Sequence, residues 1–124
     1  VPTKKKVLLV DDSRTVLLME QMCLGREPYE LLTATNGREA VDKALSERPD
    51  LILMDVMMPT LGGFEALREL RAQEATRRIP VIMVTTRSEL ENVTAGYESG
   101  CNDYVFKPIN APELLAKVRN HLGS

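Results

Sequence analysis

Short apolar runs set apart by helical patterns constrain this chain more than any other feature. Lys6-Val7-Leu8-Leu9-Val10, Glu30-Leu31-Leu32-Thr33-Ala34, Leu51-Ile52-Leu53-Met54, Val81-Ile82-Met83-Val84 and Tyr104-Val105-Phe106 each have strand length and strand composition. Ser13 can cap a first helix running to about Leu24, with Gly25 near its end. Asn36 opens a second helix, whose Ala40, Val41, Ala44 and Leu45 share one face. Phe64, Leu67, Leu70 and Arg71 suggest a third, ended before Pro80. Ser88 to Glu91 and Asn110 to Glu113 carry capping-box spacing for a fourth and a fifth, and Gly100 sits where a left-handed cap would close the fourth. Strands alternating with helices predict an α/β fold, a parallel sheet covered on both faces.

A length of 124 residues suits one domain with one core, and 44% apolar with 27% charged residues is ordinary for a globular protein. No apolar run approaches the ~20 residues that span a bilayer. Lys4-Lys5-Lys6 is followed by too short an apolar run for a signal peptide. Sixteen basic against eighteen acidic side chains give a net charge of -2, which does not favour nucleic acid. Cys23 and Cys101 lack metal or redox spacing and read as reduced thiols in a cytoplasmic protein. His121 lies in the last turn of the fifth predicted helix, where it suits the helix dipole. The chain starts at Val1, which favours a processed chain or one domain of a longer one over a free-standing protein.

In an open parallel α/β sheet, ligands bind beyond the carboxyl ends of the strands. There the first run ends in Asp11-Asp12, the third in Asp55, the fourth in Thr85-Thr86 and the fifth in Lys107-Pro108, whereas Thr35-Asn36-Gly37 looks like a turn and cap. A right-handed crossover sets the first and third strand ends side by side. Asp55 alone would be a turn residue, Asp12 an N-cap and Lys107 a surface lysine. Three carboxylates together repel, at about 4 kcal/mol per pair for a ~4 Å separation and an effective dielectric of about 20. A protonated carboxyl or a bound cation relieves that, and oxygen ligands suit Mg2+ or Mn2+ rather than zinc. With the Lys107 ammonium and the Thr85 hydroxyl, the set could grip phosphoryl oxygens, with Asp55 as nucleophile.

Over almost its whole length the chain resembles the receiver domain of bacterial two-component response regulators. The matching pieces are "VLLVDDS" (7–13), "LILMDVMMPTLGG" (51–63), "PVIMVTT" (80–86) and "DYVFKP" (103–108), in order and at strand ends. The resemblance implies a flavodoxin-like sheet of order 2-1-3-4-5. It implies that Asp55 accepts a phosphoryl group from a phosphohistidine on a histidine kinase or phosphotransfer protein. Asp12, Asp55 and the Met57 backbone carbonyl would hold Mg2+, with Asp11 acting through a metal-bound water. Lys107 would pair with Asp55, Thr85 would bond a phosphoryl oxygen, and Tyr104 would be the aromatic switch, turning inward on activation.

The resemblance also places Met57 and Arg87 beside the path of the attacking water, and neither is suited to orienting it, so a long-lived phosphoryl group is expected. The face made by the fourth helix, fifth strand and fifth helix would contact an output partner or fused domain, or a second copy in a phosphorylation-dependent dimer. Glu89, Glu91, Asn92, Tyr97 and Lys117 are its candidates. Gly62-Gly63 is expected to let the chain turn into the third helix. A phosphoaspartate phosphatase is disfavoured because Met57 stands where its second acid belongs. Flavin binding is disfavoured by the acidic Asp11-Asp12-Ser13 loop.

Overall fold

Residues whose side chains alternate between two buried faces build the centre of the protein. The computed structural model describes residues 4–86 and 100–123. Its strands are β1 (Lys5–Val10), β2 (Tyr29–Ala34), β3 (Leu51–Asp55), β4 (Val81–Thr85) and β5 (Asp103–Phe106). They pair in parallel in the order β2-β1-β3-β4-β5, as expected. Every residue of β3 and of β4 is buried, so these central strands read as unbroken apolar runs rather than as alternating ones.

The described helices are α1 (Arg14–Leu24), α2 (Gly37–Glu47), α3 (Gly63–Ala72) and α4 (Ala111–Leu122). Leu8, Val10, Ile52, Met54 and Met83 point to the face covered by α2 and α3. Val7, Leu9, Leu53, Ile82 and Val84 point to the other face, under α1 and α4. Side chains one residue apart on a strand leave by opposite faces, so each strand feeds two cores.

Three helix starts follow from their cap residues. The side chains of Ser13, Asn36 and Asn110 accept from the N–H groups of Val16, Glu39 and Glu113. Ser13, and not Asp12, is therefore the cap of α1, which leaves the Asp12 carboxylate for the end of the sheet. The helix expected after Ser88 lies outside the described residues, as do Arg87, Glu89, Glu91, Asn92 and Tyr97. Gly100, within them, has φ 88, the left-handed conformation expected of a closing cap. Among the described residues no helix is long and apolar enough to cross a membrane.

Register fixes the site. Val10 sits opposite Met54, so the residues that follow them, Asp11 and Asp55, leave adjacent strands at the same level. The ladders run on past the strands: Asp11 N–H donates to Ala34 O, Val56 N–H to Val84 O, and Lys107 N–H to Thr85 O. The chain is thus still held by backbone hydrogen bonds where its polar residues begin.

Candidate functional site

The strand ends bring Asp11, Asp12 and Asp55 together, with a carboxylate oxygen from each inside a set spanning 4.8 Å. Asp11 and Asp55 are 1% and 2% exposed, while Asp12 is exposed at the mouth. Lys107 reaches in from the end of β5, its Nζ 3.1 Å from Asp55 Oδ1 and 3.8 Å from Asp11 Oδ2. The Lys107-Pro108 peptide bond is cis. Ser13 N–H donates to Asp11 Oδ1, which orients that carboxylate from the start of α1.

Asp11 Oδ2 and Asp55 Oδ1 accept no hydrogen bond, although both lie near the Lys107 ammonium. Buried oxygens left in this condition are uncommon and point to a missing ligand. Burial pushes the Asp55 carboxyl up to about 6, with the neighbouring Asp11 charge adding to it and Lys107 opposing it. Asp11 is also raised, mainly by burial, against the pull of the Ser13 N–H and of Lys107. At neutral pH Asp55 is still ionised, and one ammonium does not balance three carboxylates. An all-oxygen set with excess negative charge and orphaned lone pairs fits a hard divalent cation.

Thr85 ends β4 fully buried, and its hydroxyl donates to Thr86 O at 3.2 Å. Tyr104 is 4% exposed and packs in the cluster beneath α2 and α3. Met57, two residues after Asp55, is 60% exposed, whereas Met58 packs against the core. Lys117 donates to Tyr104 O and pairs with Asp103 at 3.3 Å and Glu113 at 3.6 Å, and His121 pairs with Asp103 at 3.3 Å. The contacts to Tyr104 O and Asp103 tie α4 to β5, while the Glu113 pair lies within α4. Gly63 serves close packing rather than a turn: it has no positive φ, and a Cβ there would lie 2.3 Å from Asp55 O.

The structure adds one acid that the sequence reading passed over. Glu20 lies on the inner stripe of α1 between Leu17 and Leu24, is fully buried, and neither carboxylate oxygen has a hydrogen-bond partner. Its pKa is raised to about 9, first by burial and then by the charges of Asp11 and Asp55. Position 20 falls on the Leu17–Leu24 stripe, which the further apolar residues Val16, Leu18, Met19 and Met22 mask in the sequence. The outer face of the same helix carries Leu18, Met19 and Met22, all exposed. A groove from Met19, Met22 and Cys23 runs to Ile109 and Ala111, just beyond Lys107.

The arrangement matches known proteins. The family model for the response regulator receiver domain covers residues 7–119, and this chain belongs to that family. It is a receiver domain of a two-component system; such domains are signalling phosphoacceptors rather than metabolic enzymes, and they bind Mg2+ at an acidic cluster. The alkaline phosphatase synthesis transcriptional regulatory protein PhoP of Bacillus subtilis is 40% identical over 115 residues, which are 93% of this chain and 47% of that protein. The transcriptional regulatory protein ResD of the same organism is 40% identical over 92% of this chain and 46% of its own length. The chain thus spans about half the length of these curated relatives.

Among solved structures, the chemotaxis response regulator CheY4 of Vibrio cholerae superposes with a TM-score of 0.89 at 38% identity, over 97% of this chain and all of that one (100%). The receiver domain of the sensor histidine kinase PA1611 of Pseudomonas aeruginosa has a TM-score of 0.89 at 34% identity, over 98% of this chain and 100% of that one. That structure holds a magnesium ion coordinated in its active site cleft.

Proposed function

We propose that this chain is one phosphoacceptor module in which Asp55 takes a phosphoryl group from a phosphohistidine on a histidine kinase or phosphotransfer protein. The observation that carries the reading is the pair of buried carboxylate oxygens, Asp11 Oδ2 and Asp55 Oδ1, that face Lys107 without a hydrogen bond. Asp12, Asp55 and the Met57 carbonyl would hold Mg2+, with Asp11 joined through a water. When bound, Mg2+ supplies charge neutralisation for the phosphoryl oxygens.

Asp55 attacks phosphorus through a carboxylate oxygen as the phosphorus–nitrogen bond breaks and the imidazole leaves with the bonding electrons. Lys107 follows the charge from the carboxylate to the phosphoryl oxygens, where the low local dielectric strengthens its hold. Thr85 offers its hydroxyl to one of those oxygens. The switch is then a shift in the populations of Thr85 and Tyr104 positions, read at the face of β5 and α4 by an output partner, a fused output domain or a second copy. The exposed Met19 and Met22, whose groove runs to Ile109 two residues beyond Lys107, would give the phosphohistidine donor an apolar landing on the side of the domain that carries the Lys107 loop.

Intact mass after incubation with acetyl phosphate tests the reading. The expected result is a Mg2+-dependent gain of one phosphoryl group that Asp55→Ala abolishes. No gain under conditions that trap acyl phosphates would leave a receiver that works by binding alone.

A further inference from the structure

The loop between β3 and α3 carries Met57, and a glycine on a different element holds it. Gly37 opens α2, is buried, and donates its N–H to Leu61 O at 3.0 Å. A Cβ at this position would lie 2.3 Å from that oxygen and 2.9 Å from its carbonyl carbon. Both of those atoms are backbone, so a side chain there can be accommodated only if the loop or the helix moves. Gly37 has no positive φ, so the helix start itself does not require glycine. The close approach of the loop requires it.

The same loop contains strain. Thr60, a β-branched residue, has φ 70, and Leu61 N–H donates to Pro59 O at 2.8 Å. That is a three-residue turn of the rare kind, with its central residue in the left-handed region. Such a conformation persists only where its surroundings over-determine it. At the ends of the loop, Val56 N–H donates to Val84 O and Gly63 N–H to Val56 O, at 3.0 and 2.9 Å. Its middle rests on α2 through Gly37. Arg38, the next residue, braces the same helix start against α3 through Glu69, at 2.8 and 3.3 Å.

We infer that Gly37 is a positioning residue for the cation site: the amino end of α2 sets where the loop presents the Met57 carbonyl. The inference rests on the reading of that carbonyl as a Mg2+ ligand. A site that gains affinity from the docked loop must in turn tighten the dock when Mg2+ binds, because coupling between two equilibria is reciprocal.

Mg2+ titration followed by calorimetry and by the Met57 and Met58 amide resonances tests this. Gly37→Ala is expected to bind Mg2+ about tenfold more weakly, within the usual range of such couplings. Val41→Ala, a core truncation on the same helix, should lose stability and keep its Mg2+ affinity; a comparable loss of affinity there would reduce Gly37 to a merely structural residue and overturn the inference. Unchanged affinity in a folded Gly37→Ala protein would also overturn it. If Gly37→Ala does not fold, amide exchange in the unaltered chain decides. Saturating Mg2+ should slow exchange at Gly37 by about the same tenfold while leaving Asn102, at the opposite end of the sheet, unaffected. An unchanged Gly37 rate removes the inference. Failure of the unaltered chain to bind Mg2+ at all would instead remove the reading of the site, and the inference with it.

Discussion

Two polar clusters, at opposite ends of the sheet, solve the problem of burying polar groups in opposite ways. At the amino ends of β4 and β5, Arg71 donates to Gly100 O at 3.0 Å, Ile79 O at 2.8 Å and Asn102 Oδ1 at 3.0 Å. Asn102 Oδ1 also accepts from Val81 N–H, and the buried Thr76 hydroxyl donates to Leu70 O at 2.7 Å. At the carboxyl ends, Asp11, Asp55 and Glu20 keep buried oxygens with no hydrogen bond. The first cluster is complete as folded and holds the loop before β5 against α3. The second is incomplete, and that is what marks it as the working end.

The difference predicts opposite signs for truncation. Arg71→Ala strips three backbone carbonyls and one amide oxygen of a charged donor, and should destabilise the domain by about 2–3 kcal/mol in a denaturant titration. A loss under about 0.5 kcal/mol would mean that water replaces the guanidinium and that the cluster is not structural.

Removing an acid from the other cluster should stabilise. Between pH 4.5 and about 9 folded Glu20 keeps a proton that the unfolded chain has released. The folded state then binds more protons than the unfolded one, so stability is fully present below 4.5 and is lost as pH rises toward 9. Glu20→Met, which keeps the shape of the side chain, should raise stability at pH 7–8 by on the order of 2 kcal/mol and flatten that slope. An unchanged slope would show that Glu20 is solvated or paired in solution.

These two clusters differed in how well the sequence exposed them. Asp11, Asp12, Asp55 and Lys107 were legible because each follows an apolar run directly, and parallel strands deliver their carboxyl ends to one edge. The sheet order was implied by the resemblance that the quoted motifs carry, whereas crossover handedness by itself set only β1 beside β3. Glu20 was hidden because "VLLMEQMCL" is apolar around most of α1, so no single face declared itself as the inner one. Arg71 was placed correctly on a helix, but its partners at Ile79, Gly100 and Asn102 are fixed by tertiary approach, on which periodicity is silent. Gly37 was read as part of a turn because the loop that presses on it is distant in the chain. The switch role of Tyr104 came from the resemblance alone, because side-chain position is set by packing rather than by strand pattern.

A third prediction sharpens the contrast by filling the incomplete cluster. Below about pH 6 a proton holds Asp55, so Mg2+ must displace it. Mg2+ affinity should fall by about tenfold between pH 8 and pH 5 in calorimetry, with protons released on binding. A flat profile would place Asp55 outside the cation site or its titration well below 6. The Arg71 cluster, carrying no such group, should show no response to Mg2+ in its amide resonances.

The smallest effect expected is kinetic. Met57, two residues after Asp55, is 60% exposed and presents a thioether where the resemblance puts the path of the attacking water. A thioether neither donates a hydrogen bond nor accepts one strongly, so it cannot hold a water in line with the phosphorus. Met57→Asn puts an amide there while leaving the backbone carbonyl in place. Loss of the phosphoryl group, followed by intact mass after removal of the donor, should then quicken several-fold, equivalent to roughly 1 kcal/mol of barrier. Mg2+ affinity should stay unchanged, because the proposed ligand at this position is backbone. An equal or slower rate would mean that access of water is set by something other than residue 57, and a changed Mg2+ affinity would mean that the substitution had moved the loop.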